Sequence, residues 1–296
     1  NKMTRQSGMT LIELTVVLLV LIGLAGLMIP YVSGFVSRTH DSTGTNNLAQ
    51  LNHTIQRYQG QYMSYPDDLH SLIEQAAGSN PGTVYSELMN RNFLTATTYT
   101  SDGVAGTVLS EYPLSSLRMA GITSLYDMKD PTANGSKTFD AGFGSVAVPN
   151  QMMAAAGTVI VAVLNAGDKG SVEQHLADAF GGDINSYDST CYDYVVMGVG
   201  QESQMTGRTL QDAPVHFAQN GDMGPENKYN RFSAVFKVDK ANATIASAPG
   251  GTVDGNQCSA GADFATLVGT AMLMMPNHLF GLEDELNRAY SNVAAN

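Results

Sequence analysis

Residues Gly8 to Pro30 read GMTLIELTVVLLVLIGLAGLMIP. The run is apolar and long enough to cross the hydrocarbon core of a bilayer, which takes about 20 helical residues. It holds one carboxylate, Glu13, the fifth residue after Gly8. A charge at that depth costs about 2.5–3.5 kcal/mol on insertion scales, so it is seldom placed there without a partner. No positive side chain lies in the run. A cut after Gly8 would create one, the α-amino group of Met9, in the same chain or a neighbour. An ordinary cleaved secretory signal fits poorly, because the run exceeds a usual apolar region and no small-x-small cleavage site follows it. Lys2 and Arg5 precede the run, which places the N-terminus in the cytoplasm and the chain after about residue 32 outside.

Gly8-Met9-Thr10-Leu11-Ile12-Glu13 resembles the class III signal of type IV pilins and type II secretion pseudopilins. The resemblance implies a prepilin leader, 1–8, with Met3 as a candidate initiator. It implies that a prepilin peptidase cuts between Gly8 and Met9 and methylates Met9. It also makes Thr10 and Glu13 assembly residues, Glu13 neutralising the N-terminus of an adjacent subunit. Pro30 falls 22 residues after the cut, where many type IV pilins carry Pro. In their filaments this part of the helix is often extended, which implies melting from Gly23 through Gly26 to Pro30, a plain kink being the alternative. Pro removes a ladder hydrogen bond and Gly weakens the helix, so the residues themselves permit either.

The implied fold is α+β and type IV pilin-like: a long N-terminal helix packed against a small antiparallel sheet in an enlarged C-terminal head. The helix is expected over 9–62, with 9–30 in the membrane or filament core, and the head over 63–296. Leu48, Leu51, Ile55, Tyr58 and Tyr62 recur at spacings of 3 and 4, one face of a helix that packs on the head. A helix continuous from Met9 to Tyr62 would be about 80 Å long. Ser37 to Asn47, polar and containing Gly44, reads as a flexible neck.

Further along, Tyr65-Pro66-Asp67-Asp68 reads as a helix start, with Leu69, Leu72 and Ile73 on its buried side and Gly78 as a stop. A second short helix is expected at Val84–Asn92, and loops with short strands over 98–150. Thr158–Leu164, Tyr192–Val199 and Arg231–Val238 read as strands, Ala243–Ala246 as a short one, and Val172–Phe180 as a helix. Phe264–Met275, Met-rich and stopped by Pro276, reads as one helix, and Leu279, Leu282, Leu286 and Tyr290 as the stripe of another. Both would pack on the sheet, a subunit contact surface being the alternative use of so many methionines.

The 296 residues carry a net charge of -12, nearer -14 once Lys2 and Arg5 leave with the leader. No run of Lys or Arg occurs, which disfavours nucleic acid, since backbone binding depends on cations that displace counterions. Two cysteines, Cys191 and Cys258, follow the apolar run and should lie in an oxidising compartment. A disulfide is the simplest reading, with free thiols or an intermolecular bridge as alternatives.

No catalytic constellation is visible. The six histidines show no ligand spacing, and Gly198-Val199-Gly200 lacks the third glycine of a dinucleotide loop and reads as a turn. Asp183, Asn185 and Asp188 offer oxygens for Ca²⁺, but their spacing does not match an EF-hand loop, so solvated loop acids are the favoured reading and no cofactor is expected. The resulting expectation is a structural protein rather than an enzyme: a subunit of a type IV pilus-like filament. It would wait in the inner membrane and then join a helical homopolymer on the cell surface, through an assembly platform and its ATPase. A periplasmic secretion pseudopilin, or a minor pilin or adhesin displayed on a pilin stem, is the alternative.

Overall fold

The computed structural model describes residues 11–75, 83–84, 94–101, 112–129, 144–147, 157–166, 170–214, 231–240, 252–253, 256–257 and 264–272. Its first element is helix α1, Leu11–Tyr62. The chain divides into two compact units, Asn1–Asn47 and Leu48–Asn296. In the first, every Leu, Ile and Val from Leu11 to Leu24 is 52–81 % exposed. The side chains of the rest of the expected span, 9–10 and 25–30, lie outside the described residues. Among the described residues no helix is long and apolar enough to cross a membrane. The backbone is helical through Gly23, Gly26 and Pro30, and through the expected neck, Ser37 to Asn47.

In the second unit the strands are β1 (Leu69–Gln75), β2 (Thr83–Val84), β3 (Leu94–Ser101), β4 (Ser124–Lys129), β5 (Gly144–Ala147) and β6 (Gly157–Leu164). They continue with β7 (Tyr192–Gly198), β8 (Phe232–Asp239), β9 (Thr252–Val253), β10 (Asn256–Gln257) and β11 (Thr266–Met272). Helices α2 (Tyr112–Met119) and α3 (Val172–Phe180) are short. Nine strands make one sheet with a spine β11-β8-β7-β1-β4-β5. The sheet forks at β7: one edge pairs with β8, the other first with β6 at Val195 and Val196, then with β1 at Gly198. β3 extends the β6 branch and β2 pairs with β1, whereas β9 and β10 form a separate ladder.

This corrects the expected pilin-like architecture. The sheet is large and mixed rather than small and antiparallel, because β1 runs parallel to β4. Within this unit α1 contributes only Leu48–Tyr62, roughly four turns, so the sheet carries no long helix. Those turns behave as their spacing requires. Leu51, Ile55 and Tyr58 are buried, Leu48 packs beside them, and Tyr62 stays exposed with its ring 4.5 Å from that of Tyr58. They share a core with Leu114 and Leu117 of α2 and with Val161, Val195 and Phe236 of the sheet. Leu176 of α3 covers the other core, with Leu72, Ile160, Tyr194 and Val235.

Four more readings change. Leu69–Gln75 is a strand, not a helix. The spacing of Leu69, Leu72 and Ile73 comes from an irregularity between His70 and Glu74, with Leu72 at φ 60°, that puts Leu72 and Ile73 in one core and Leu69 in the other. A bulge of this kind breaks the two-residue period and imitates a helical one. The first part of the Phe264–Met275 run is likewise a strand, β11. Gly269 lies at its centre, where a Cβ would stand 2.4 Å from the Phe180 ring of α3, so the glycine serves close packing. Val84 begins no helix but ends β2, and α2 lies where only loops and strands were expected. The remainder of 84–92, Ala243–Ala246 and the stripe from Leu279 to Tyr290 lie outside the described residues. The expected strands at 158–164, 192–199 and 231–238 and the helix at 172–180 are present to within a residue or two.

Candidate functional site

A cavity of about 530 Å³ opens beside the β3–β6 branch, bounded by the ends of β6 and β7 and the first turn of α3. Its position follows from the fork. The β6–β7 ladder is confined to Ala162–Val196 and Val163–Val195, so the strand ends beyond it are free to part. Ser171 starts α3 there by accepting a hydrogen bond from the Gln174 amide, and the left-handed Gly181 (φ 77°) ends it.

Asp193, the second residue of β7, is the chemical centre. It is 9 % exposed in a strand that is otherwise apolar or aromatic. Tyr99, 2 % exposed on β3, donates its hydroxyl to Asp193 Oδ2 at 2.7 Å. Lys240 Nζ lies 3.9 Å from Asp193 Oδ1 and donates to the Ser189 carbonyl at 3.0 Å. Burial pushes the Asp193 carboxyl above its ordinary value, against the Tyr99 hydrogen bond and the Lys240 charge, which pull it down. Burial, with the charge of Asp193, pushes the Tyr99 phenol well above its ordinary value. Tyr99 is therefore a fixed donor and not a base.

Glu173, in the first turn of α3, lies on the wall. It accepts from the Ser189 amide at 2.9 Å and from the Ser189 hydroxyl. Burial opposes its ionisation, but these hydrogen bonds outweigh burial and hold the carboxyl below its ordinary value. Tyr194 accepts from the Asp188 amide at 3.0 Å, and burial raises its phenol to about 12. Lys237 Nζ stands 3.7 Å from the centroid of the Tyr192 ring. The cavity thus presents fixed donors, carboxylate acceptors and an aromatic edge, an arrangement suited to hydrogen-bonded recognition rather than proton transfer.

The residues singled out from the sequence are elsewhere or beside this cavity. Gly8, Met9 and Thr10 lie outside the described residues. Glu13 is in the first turn of α1, and no atom lies within 4 Å of a Cβ built on Gly23. Cys191 is disulfide-bonded, and in a chain of two cysteines its intramolecular partner is Cys258, which lies outside the described residues. Asp183 caps the short 3-10 turn Ile184–Ser186, accepting from the amide and side chain of Asn185 at 2.9 and 2.8 Å. Asp188 instead accepts from the Thr190 and Cys191 amides at 2.8 and 3.2 Å. The two acids serve different turns, and no group of three metal-binding side chains occurs among the described residues. Sequence reasoning missed Asp193, although a carboxylate between two tyrosines in the strand YDYVVMG was a legible signal: such a group survives burial only with partners.

No family model matches the chain, and neither curated proteins nor solved structures gave a match.

Proposed function

We propose that this protein is a structural subunit of a type IV pilus-like extracellular filament. It is cleaved between Gly8 and Met9 and assembles through its apolar N-terminal helix. The observation that carries this reading is the coincidence of two features at one end of the chain: the GMTLIE sequence and a helix apolar on every side, exposed from Leu11 to Leu24. Leaving one such side chain in water costs about 1.5–3 kcal/mol relative to burial. Over the run this reaches on the order of 15 kcal/mol or more, as much as the whole stability of a typical domain. Such a surface demands a cover along its full circumference. Lipid supplies it before assembly, and the helices of neighbouring copies supply it in a filament.

In this reading Glu13 sets register and recruitment, the peptidase and the assembly platform are the partners, and the head faces outward. It rests on the N-terminal segment and needs no pilin-like head. The test is cryo-electron microscopy of filaments sheared from the native cell, with the mature N-terminus read by mass spectrometry. A homopolymer beginning at methylated Met9 is the expected result. An uncut N-terminus would overturn the processing, and a chain absent from every filament shaft would overturn the structural role in favour of a pseudopilin or a tip-displayed subunit.

A further inference from the structure

From the cavity at the fork of the sheet we infer a binding site for a neutral, hydroxyl-rich ligand of the size of a mono- or disaccharide. Its volume of about 530 Å³ lies within the ~300–1,000 Å³ span of small-ligand sites. The lining decides the chemistry by elimination. Among the described lining residues an anion would meet two carboxylates, Asp193 and Glu173, against the one ammonium of Lys240. A cation would find Asp193 already faced by that ammonium at 3.9 Å. An apolar molecule would cover the hydroxyls of Thr95 and Thr97, and each polar group buried without a partner costs about 1–3 kcal/mol.

What remains is a ligand with donors and acceptors at the same positions, and a hydroxyl is the group that provides both. Asp193 is held by Tyr99 and faced by Lys240, yet an ionised carboxylate has about four lone-pair sites. The threonine hydroxyls of β3 can turn to donate or accept. Leu164, Val172 and the ring of Tyr192 supply apolar wall, which suits the C–H face of a pyranose, since sites of this kind set a few polar groups among apolar ones. The Cys191 disulfide lies two residues from Asp193.

The experiment uses the full chain in phospholipid nanodiscs, which avoids glycoside detergents. Saturation-transfer NMR is recorded with methyl glycosides of glucose, galactose, mannose and N-acetylglucosamine and with maltose and lactose, beside galacturonate and ethanolamine as charged probes. The expected result is saturable transfer to at least one neutral sugar at millimolar concentration. Asp193→Asn should weaken it tenfold or more, and Thr97→Val, which removes one hydroxyl at constant shape, severalfold. Near-UV circular dichroism checks that each variant is folded, and Thr97→Val alone decides if Asp193→Asn is not. The inference is overturned if no neutral sugar binds, if a charged probe binds better, or if folded variants bind as the wild type does.

Discussion

Replacing Gly200 by alanine tests the packing around His70. A Cβ on Gly200 would lie 1.8 Å from His70 Nε2 and 2.1 Å from Cε1. The imidazole is 0 % exposed, so it has no free space to enter. Its Nε2 is 2.9 Å from Glu202 Oε2, and its ring centroid is 5.8 Å from that of Tyr126. Forcing a methyl group into a filled site costs about 1–3 kcal/mol. Breaking a hydrogen bond to a charged group adds roughly 1.5–3 kcal/mol. Glu202 is 21 % exposed and water recovers part of that, so a total near 3 kcal/mol is expected at the low end of both ranges. For a unit of this size the midpoint should fall by about 6–12 °C. The assay is thermal unfolding of the full chain in nanodiscs, followed by near-UV circular dichroism of the tyrosines. Gly60→Ala is the control: it lies inside α1, exposed, with no atom within 4 Å of its Cβ, and should stabilise by about 0.5–1 kcal/mol. A Gly200→Ala midpoint within about 2 °C of wild type, or the same sign for both variants, would refute the close approach.

Glu13→Ala should leave cleavage at Gly8 intact and abolish filaments, read by mass spectrometry and electron microscopy of the same cells; a normal filament yield would remove Glu13 from assembly. Glu202 gives a pH dependence. Burial pushes its carboxyl up, but the His70 hydrogen bond and charge outweigh burial and hold it below 4.5. The folded state thus binds its proton less tightly than the unfolded one, so its stabilisation is present above 4.5 and lost as pH falls through the folded value. Glu202→Gln should flatten that acid limb of the melting curve, and an unchanged limb would count against the pair. Cys191→Ser opens a loop whose closure contributes roughly 4 kcal/mol on chain-entropy grounds, which should appear as a lowered denaturation midpoint in the absence of reductant.

Local signals were legible where one element satisfied one rule. The nine residues of α3, flanked by an N-cap serine and a glycine at the far end, carry a helical apolar period and form as read. TVIVAVL could only be a buried strand, and it is the body of β6. The failures came from interruptions of period. β1 misled because Leu72 at positive φ shifts the alternation. β11 misled because methionines suggest a helix, while the glycine under Phe180 argues for a strand. Helix α2 was hidden by the Gly, Ser and Thr around it, although Pro113 in its first turn and Gly121 (φ 88°) after its end mark both boundaries. The parallel pairing of β1 with β4 carries no local signature, since it depends on contacts across more than fifty residues. The cavity was illegible for the same reason: Tyr99 and Asp193 meet only after β6 pairs with both β3 and β7.

That parallel pairing also sets a schedule. β1 leaves the ribosome early, but its neighbour β4 follows dozens of residues later, and β7, which meets it at Gly198, about 130 residues later. At ~5–20 residues per second, the backbone of this central strand waits on the order of 6–26 s for β7, with buried residues such as Leu69 and Ile73 uncovered. Through that interval the strand must be kept from pairing with anything else, so the order in which the chain emerges is a hazard that the sheet itself creates.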